Sequence, residues 1–294
     1  MSMSSNEDSG KLGVILVLIM AIVMTIVVFN GITPQDEKTE SQDIYIPPYS
    51  ASEYIDYIYD GDTFKTVEGD VIRLLGVNTE EKGMEHADAA KQKLEMLLNN
   101  GEIRLERDEV DKDRYGRLLR HVWSGDVFVN VELVRGGYAH VYIIEPNVKY
   151  SAELWTAQDE AVANQQVLWE PSPYDVELME IQPVQGTDIE GLNLEKIVFR
   201  NNDQETLDIS GWNVKDESVH IFRFNDMSVP AGGTVELKSG LGTDTTTEVY
   251  WQLDSSIWNN AGDVCFLRDE NGLLVDSWRY TLEGDIYVFT DYVP

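Results

Sequence analysis

Three short charged stretches stand out for the chemistry their residues can do. They read Asp60-Gly61-Asp62-Thr63, Arg73-Leu74-Leu75-Gly76-Val77-Asn78-Thr79-Glu80-Glu81 and Asp113-Arg114-Tyr115-Gly116-Arg117. A guanidinium presents a planar fork of donors that matches two phosphate oxygens, which lysine cannot copy. Carboxylate and carbonyl oxygens are the ligands of hard divalent cations. Such a set suits phosphate esters, whose cleavage gathers negative charge on oxygens that fixed cations must meet. Singly, each stretch is bland: Asp-Gly-Asp is usual in a turn, Arg-Leu-Leu in a strand and Tyr-Gly-Arg in a loop. The signal lies in their occurring together, at strand ends and turns.

The surrounding pattern predicts the elements that position them. Tyr54–Tyr59, Phe64–Val67 and Val71–Val77 read as strands, the last two joined by a turn at Glu68-Gly69-Asp70. Ala87, Ala90, Leu94 and Leu97 follow helical spacing up to a stop at Asn99-Asn100-Gly101. Strands at Ile103–Glu106 and Leu118–Trp123 follow, then a helix over Ser151–Leu168 with Leu154, Ala157, Ala161 and Leu168 on one face. Five strands with a helix in the middle and another at the end predict a small OB-type barrel over residues 54–170. Glu170-Pro171-Ser172-Pro173 then breaks the pattern, which places a linker at 171–174.

The three stretches, with the weaker Val131-Glu132-Leu133-Val134-Arg135-Gly136-Gly137-Tyr138-Ala139, resemble the staphylococcal-nuclease (thermonuclease) family. The resemblance implies that Arg73 and Arg117 bind the scissile phosphate, with Arg117 nearer the leaving oxygen. It implies that Glu81 orients or deprotonates the attacking water, so that Arg73, Glu81 and Arg117 are the catalytic set. Asp62, Asn78 and the Thr79 carbonyl would hold one divalent cation, usually Ca²⁺ in the family. Arg114, Tyr115 and Tyr142 would contact the nucleic acid, the tyrosines by stacking on bases. Two positions depart from the family pattern. Asn78 stands where many members carry a metal-binding aspartate, and Glu80 stands where proline is usual. A neutral ligand weakens the hold on a hard dication, so half-maximal activity is expected near ~10⁻⁴–10⁻³ M calcium, with Glu80 or Asp60 as compensating carboxylates. On this reading Asn78→Asp lowers the calcium midpoint.

From Val176 onward, strand-like runs alternate with Gly, Asn and Asp turns: Lys196–Phe199, Leu207–Val214, Ile221–Phe224, Thr234–Lys238, Val264–Arg268 and Leu273–Trp278. The phrases Gly191-Leu192-Asn193-Leu194-Glu195, Asp208-Ile209-Ser210-Gly211-Trp212, Val229-Pro230-Ala231-Gly232-Gly233 and Trp258-Asn259-Asn260-Ala261-Gly262-Asp263 resemble the lamin-tail domain, an immunoglobulin-like β-sandwich. None of them assembles a nucleophile, base and orienter. Residues 175–294 therefore read as a binding or tethering module for an unknown ligand, able to fold alone and dispensable for cleavage.

Composition bounds the rest. Twenty-two basic against 53 acidic residues give a net charge of -31, so any contact with nucleic acid is local rather than spread over a basic surface. Cys265 is the single cysteine, which excludes an internal disulfide and a CxxC site. His86, His121, His140 and His220 are scattered without zinc-ligand spacing. Leu12–Phe29 is an unbroken apolar run of 18 residues between Lys11 and Asn30, long enough to cross a bilayer. It lacks the cleavage signature of a signal peptide. The expected order is a tail (1–11), a transmembrane anchor (12–32), a spacer (33–53) and the two domains. The fold expected is mainly β with some α. The function expected is a single-pass, membrane-anchored, calcium-dependent nuclease acting on DNA or RNA outside the cytoplasm. A second reading is a catalytically silent adaptor on the same two domains. Retention of Arg73, Glu81 and Arg117 favours the enzyme.

Overall fold

A computed structural model of the chain describes residues 54–99, 102–184, 189–283 and 286–291. The expected tail, anchor and spacer lie outside the described residues. No helix among the described residues is long and apolar enough to cross a membrane.

The N-terminal half is a twisted sheet closed over by helices. Its strands are β1 (Ile55–Ile58), β2 (Thr63–Thr66), β3 (Val71–Leu74), β4 (Val77–Thr79), β5 (Ile103–Glu106), β6 (Leu118–Ser124), β7 (Val127–Phe128) and β8 (Ala139–Val141). The main sheet runs β1-β2-β3-β6-β5, with β7 on β6, while β4 and β8 form a separate antiparallel pair. Three helices, α1 (Ala87–Leu98), α2 (Val129–Arg135) and α3 (Ser151–Ala163), complete this half. Phe64, Ile72, Leu74 and Val122 from the strands pack with Leu94, Leu133 and Leu154 from the helices in one core. That burial is the main term holding the half together.

The expected strand over Val71–Val77 is two strands. Gly76 has φ +74°, a left-handed conformation open to glycine, and a Cβ there would lie 2.4 Å from Leu154 Cδ1. The break turns β4 out of the main sheet and carries Asn78 and Thr79 to the rim of a cleft. On α1 the buried face is Ala87, Ala90, Leu94 and Leu98, with Leu97 only half buried. α3 stops at Ala163 rather than continuing to Leu168. Gln165 takes φ +51°, and the chain re-forms as a 3-10 turn over Val167–Trp169.

The C-terminal half is a sandwich. Its strands are β9 (Val176–Gln182), β10 (Lys196–Asn201), β11 (Leu207–Asp208), β12 (Asn213–Lys215), β13 (Ile221–Arg223), β14 (Ser228–Val229), β15 (Thr234–Lys238), β16 (Glu248–Tyr250), β17 (Gly262–Arg268), β18 (Leu274–Glu283) and β19 (Ile286–Asp291). One sheet runs β16-β15-β10-β9, the other β13-β12-β17-β18-β19, and β11-β14 forms a small pair beside them. Leu178, Ile197, Phe199, Trp212, Phe224, Trp258 and Tyr280 fill the space between the sheets. The chain is thus mainly β with helices, in keeping with an OB-type domain and an immunoglobulin-like sandwich.

The two halves share a junction with its own buried core. Ala161, Leu168 and Trp169 pack against Val264, Phe266 and Leu274. Residues 171–174 are engaged rather than loose. The Ser172 amide donates to the Leu274 carbonyl (2.8 Å), the Leu274 amide donates to Glu170 (2.9 Å), and Arg268 Nη1 donates to the Leu168 carbonyl (2.7 Å). The described residues of both halves belong to one compact unit.

Candidate active site

A cleft of about 930 Å³ gathers all three charged stretches. Asp60 and Asp62 enter from the turn before β2, Arg73 from β3, and Asn78 through Glu81 from β4 and beyond. Asp113, Arg114, Tyr115 and Arg117 enter from the loop before β6, and Tyr142 from the end of β8. Gly61 lets the first turn sit deep. A Cβ there would lie 2.7 Å from Ala90 Cβ and 2.8 Å from Thr79 Cγ2, so only glycine fits between α1 and β4.

Asp62 is the hub. Its Oδ2 accepts from the Thr79 amide (3.0 Å) and hydroxyl (3.1 Å), and its Oδ1 accepts from the Thr63 hydroxyl (2.9 Å) and meets Arg73 Nε at 3.1 Å. Arg117 Nη1 in turn donates to Thr63 Oγ1 (3.4 Å), which connects both arginines to Asp62. Arg73 is fixed further by donation to the carbonyls of Leu74 (2.6 Å) and Val77 (2.8 Å) and to Asn78 Oδ1 (3.0 Å). Asp60 accepts the Asp62 amide at 3.0 Å. Burial, and then the neighbouring Asp62 charge, push its carboxyl up to about 6.

Arg117 is held by its own loop. Its Nε lies 2.6 Å from Asp113 Oδ2, and its backbone amide donates to Asp113 Oδ1 (2.9 Å). Burial works to raise the Asp113 carboxyl, but the hydrogen bonds and charge of Arg117 hold it below the usual range. Tyr115 is 69% exposed, with the Arg114 guanidinium 4.8 Å and that of Arg117 5.5 Å from its ring centre. Tyr142 is partly buried, and burial, followed by the charges of Glu217 and Asp216, raises its phenol. The Glu81 carboxylate is exposed on the rim, without a hydrogen-bond or ion-pair partner among the described residues.

The opposite rim was not foreseen from sequence. Ser218, Val219 and His220 of the sandwich line the same cleft. The Asn78 side-chain amide donates to the carbonyls of Glu217 (3.2 Å) and Ser218 (2.9 Å), and His140 Nε2 donates to the Glu217 carbonyl (2.9 Å). Glu80 does not face the cleft as a spare carboxylate. It is buried, its Oε2 2.9 Å from Lys215 Nζ and its Oε1 3.6 Å from Arg268 Nε. Burial acts to raise the Glu80 carboxyl, yet Lys215 and Arg268 bring it down to about 2. His140, wholly buried and beside Lys215, falls to about 3 and stays neutral. The expectation that Glu80 compensates for a missing ligand is thereby corrected, because both its oxygens are committed to cations of the other half. The one signal available was that Asn78 and Glu80 both depart from the family pattern, and both turn out to face the sandwich.

The donor set fits a hard dication by its chemistry. Two carboxylates, Asp60 and Asp62, lie together in the cleft, where the Asp62 charge helps to raise the Asp60 carboxyl, and Thr79 lines the same cleft. No group of three or more His, Cys, Asp or Glu side chains suited to a metal occurs among the described residues, so carbonyl and water oxygens would complete such a shell.

Comparison with known proteins places both halves in families. Residues 71–171 match the family described as Staphylococcal nuclease homologue, and residues 170–282 match the Lamin Tail Domain. Thermonuclease of Staphylococcus intermedius is 35% identical over 164 residues, covering 52% of this chain and 95% of that protein. Thermonuclease of Staphylococcus hyicus is 34% identical over 125 residues, covering 38% and 72% respectively. Endonuclease YncB of Bacillus subtilis is 35% identical over 132 residues, covering 41% and 62%. The arginine–carboxylate cleft thus sits in a chain that belongs to the staphylococcal-nuclease homologues, a nuclease hydrolase with a lamin tail domain behind it.

Proposed function

We propose that the chain is a calcium-dependent nuclease that cleaves phosphodiester bonds of DNA or RNA outside the cytoplasm, tethered by the apolar run Leu12–Phe29. The observation that carries the catalytic part is the connected set Arg73–Asp62–Thr63–Arg117, open to one cleft with a free Glu81 on its rim.

In this reading Arg73 and Arg117 bind the equatorial oxygens of the scissile phosphate. Both are pre-oriented, Arg73 by two carbonyls and Arg117 by Asp113, so little reorganisation is needed as charge develops. Glu81 accepts the proton of the attacking water, and Arg117 meets the leaving oxygen. Tyr115 stacks on a base, with Arg114 and Tyr142 as further contacts. Asp62, Asp60 and the Thr79 carbonyl would hold the cation. When bound, that cation polarises the phosphate and helps place the water. Asn78 stands outside this ligand set, because its oxygen faces Arg73 and its amide faces the sandwich.

The test is to incubate the full chain, in mild detergent, with single- and double-stranded DNA and RNA, with calcium or with chelator, and to follow product length. Cleavage only with the cation is expected, and cleavage that persists in chelator would sink the metal part. The anchor is checked by carbonate extraction of membranes and by adding protease to intact cells. Protection of residues 44–294 from that protease would overturn the orientation.

A further inference from the structure

The segment that carries the Thr79 carbonyl and Glu81 is held from outside its own domain. Its first residue, Asn78, donates to two carbonyls of the β12–β13 loop. Its third, Glu80, is enclosed by Lys215 at the end of β12 and Arg268 at the end of β17. Lys215 is 1% exposed at its side chain, although it carries a charge that would otherwise be solvated. A lysine so buried is held in place by its partner, and among the described residues the side-chain ammonium of Lys215 pairs with Glu80 alone. Glu80 lies between Thr79 and Glu81, so a carboxylate pinned by two cations restrains the backbone on either side.

We propose that Lys215 of the lamin tail domain is a positioning residue for the nuclease reaction: by holding Glu80 it sets the backbone of residues 78–81, and with it Thr79 and Glu81. The inference rests on the roles given to those two residues above. It makes the sandwich a part of the active site's support. Arg268 acts alongside, but it also binds the Leu168 and Gly272 carbonyls, so Lys215 is the cleaner probe.

The test compares the full chain carrying Lys215→Met, Lys215→Arg, or Lys215→Met together with Glu80→Gln. Lys215→Met keeps the apolar stem and leaves Arg268 as counter-ion for Glu80. The double variant removes both charges of the Lys215–Glu80 pair and leaves the Arg268 guanidinium to the Leu168 and Gly272 carbonyls, so any fall in melting temperature is compared with that of Glu80→Gln alone. The readouts are kcat, KM, melting temperature and, in metal-free protein, amide hydrogen exchange over residues 77–84. In the double variant the melting temperature is expected within about 5 °C of wild type, with kcat at least tenfold lower, KM within about threefold, and exchange over 77–84 at least tenfold faster. Lys215→Arg, which keeps the cation, is expected to retain half or more of the wild-type kcat. A double variant that turns over like wild type overturns the proposal, as does unchanged exchange over 77–84. Failure of the wild type to cut any nucleic acid would refute the nuclease reading instead, and the exchange comparison would still decide the role of Lys215.

Discussion

On the solvent-facing rim of the cleft, Arg117 is braced by Asp113 four positions before it, and Tyr115 stands open between two guanidiniums. On the inner rim, Asn78 and Glu80 are braced by groups 135 to 188 positions later in the chain. The outer rim is complete within one loop and partly wet, and surface ion pairs of that kind contribute little to stability. The inner rim is dry and long-range, where losing one partner of a charge pair costs several kcal/mol. The same chemistry is therefore carried by two supports of different strength. One can be altered locally, and the other is tied to the folding of a second domain.

The largest effects should ignore this difference. Glu81→Gln, Arg73→Lys and Arg117→Lys are each expected to lower turnover at least ~100-fold, measured as kcat on a short oligonucleotide. Wild-type turnover by Glu81→Gln would remove the general base from the mechanism.

Truncation separates the rims more sharply. The sequence suggests that residues 175–294 can be dispensed with for cleavage of short oligonucleotides, whereas the buried junction predicts a loss. Ending the chain at residue 174 would expose Trp169 and leave Glu80 and His140 without their partners. The truncated chain is expected to keep less than about a tenth of wild-type turnover, in line with the cost of unpairing a buried charge. Full activity in such a chain would show that the inner rim supports itself.

Asn78→Asp sharpens the comparison at one residue. Read as a metal ligand, position 78 should tighten calcium binding when charged. Read as a docking residue, it loses two donated hydrogen bonds and turns a carboxylate toward two carbonyls, a cost of about 1–3 kcal/mol. The expected outcome is a lower melting temperature and no fall in the calcium midpoint. A fall in that midpoint at full rate would return Asn78 to the metal.

The smallest effect concerns pH. Burial, then the charges of Asp263 and Asp216, raise the Glu217 carboxyl from 4.5 to about 7, against the pull of Arg279. A carboxyl raised on folding favours the folded state fully below pH 4.5 and loses that contribution as pH climbs through about 7. Glu217→Gln is therefore expected to stabilise the chain at pH 8, by about 1–2 kcal/mol or a few degrees of melting temperature, and to give no gain near pH 4.5. An equal gain at both pH values would mean that the side chain acts by packing rather than charge.

What could be read from the sequence follows the reach of each contact. Asp113 and Arg117 share one loop, and Ala87, Ala90 and Leu94 follow a helical period, so both were legible. Gly76 was visible but its consequence was not, because the break between β3 and β4 depends on Leu154 lying against it. Asn78 and Glu80 stand out in the sequence as exceptions to the family pattern, but the partners they meet do not. Nothing within the stretch 73–81 indicates that Lys215, or the carbonyls of residues 217 and 218, will arrive beside it. Ser218, Val219 and His220 carry no motif at all, and their place at the cleft comes only from the docking of the sandwich.

The pairing of Glu80 with Lys215 also sets an order of events during synthesis. The chain leaves the ribosome N-terminus first, at about 5–20 residues per second. The 98 residues from Arg117 to Lys215 therefore impose a delay of roughly 5–20 s, during which both arginines and Glu81 have been made but the segment bearing Glu81 has no brace. Nascent chains stalled before residue 215 are expected to cut added oligonucleotide at less than about a tenth of the rate of released full-length protein, and equal rates would refute this ordering. A cell making this nuclease would thus pass the hazardous interval of production with the enzyme unfinished, and its full activity would appear when the sandwich closes on the nuclease half.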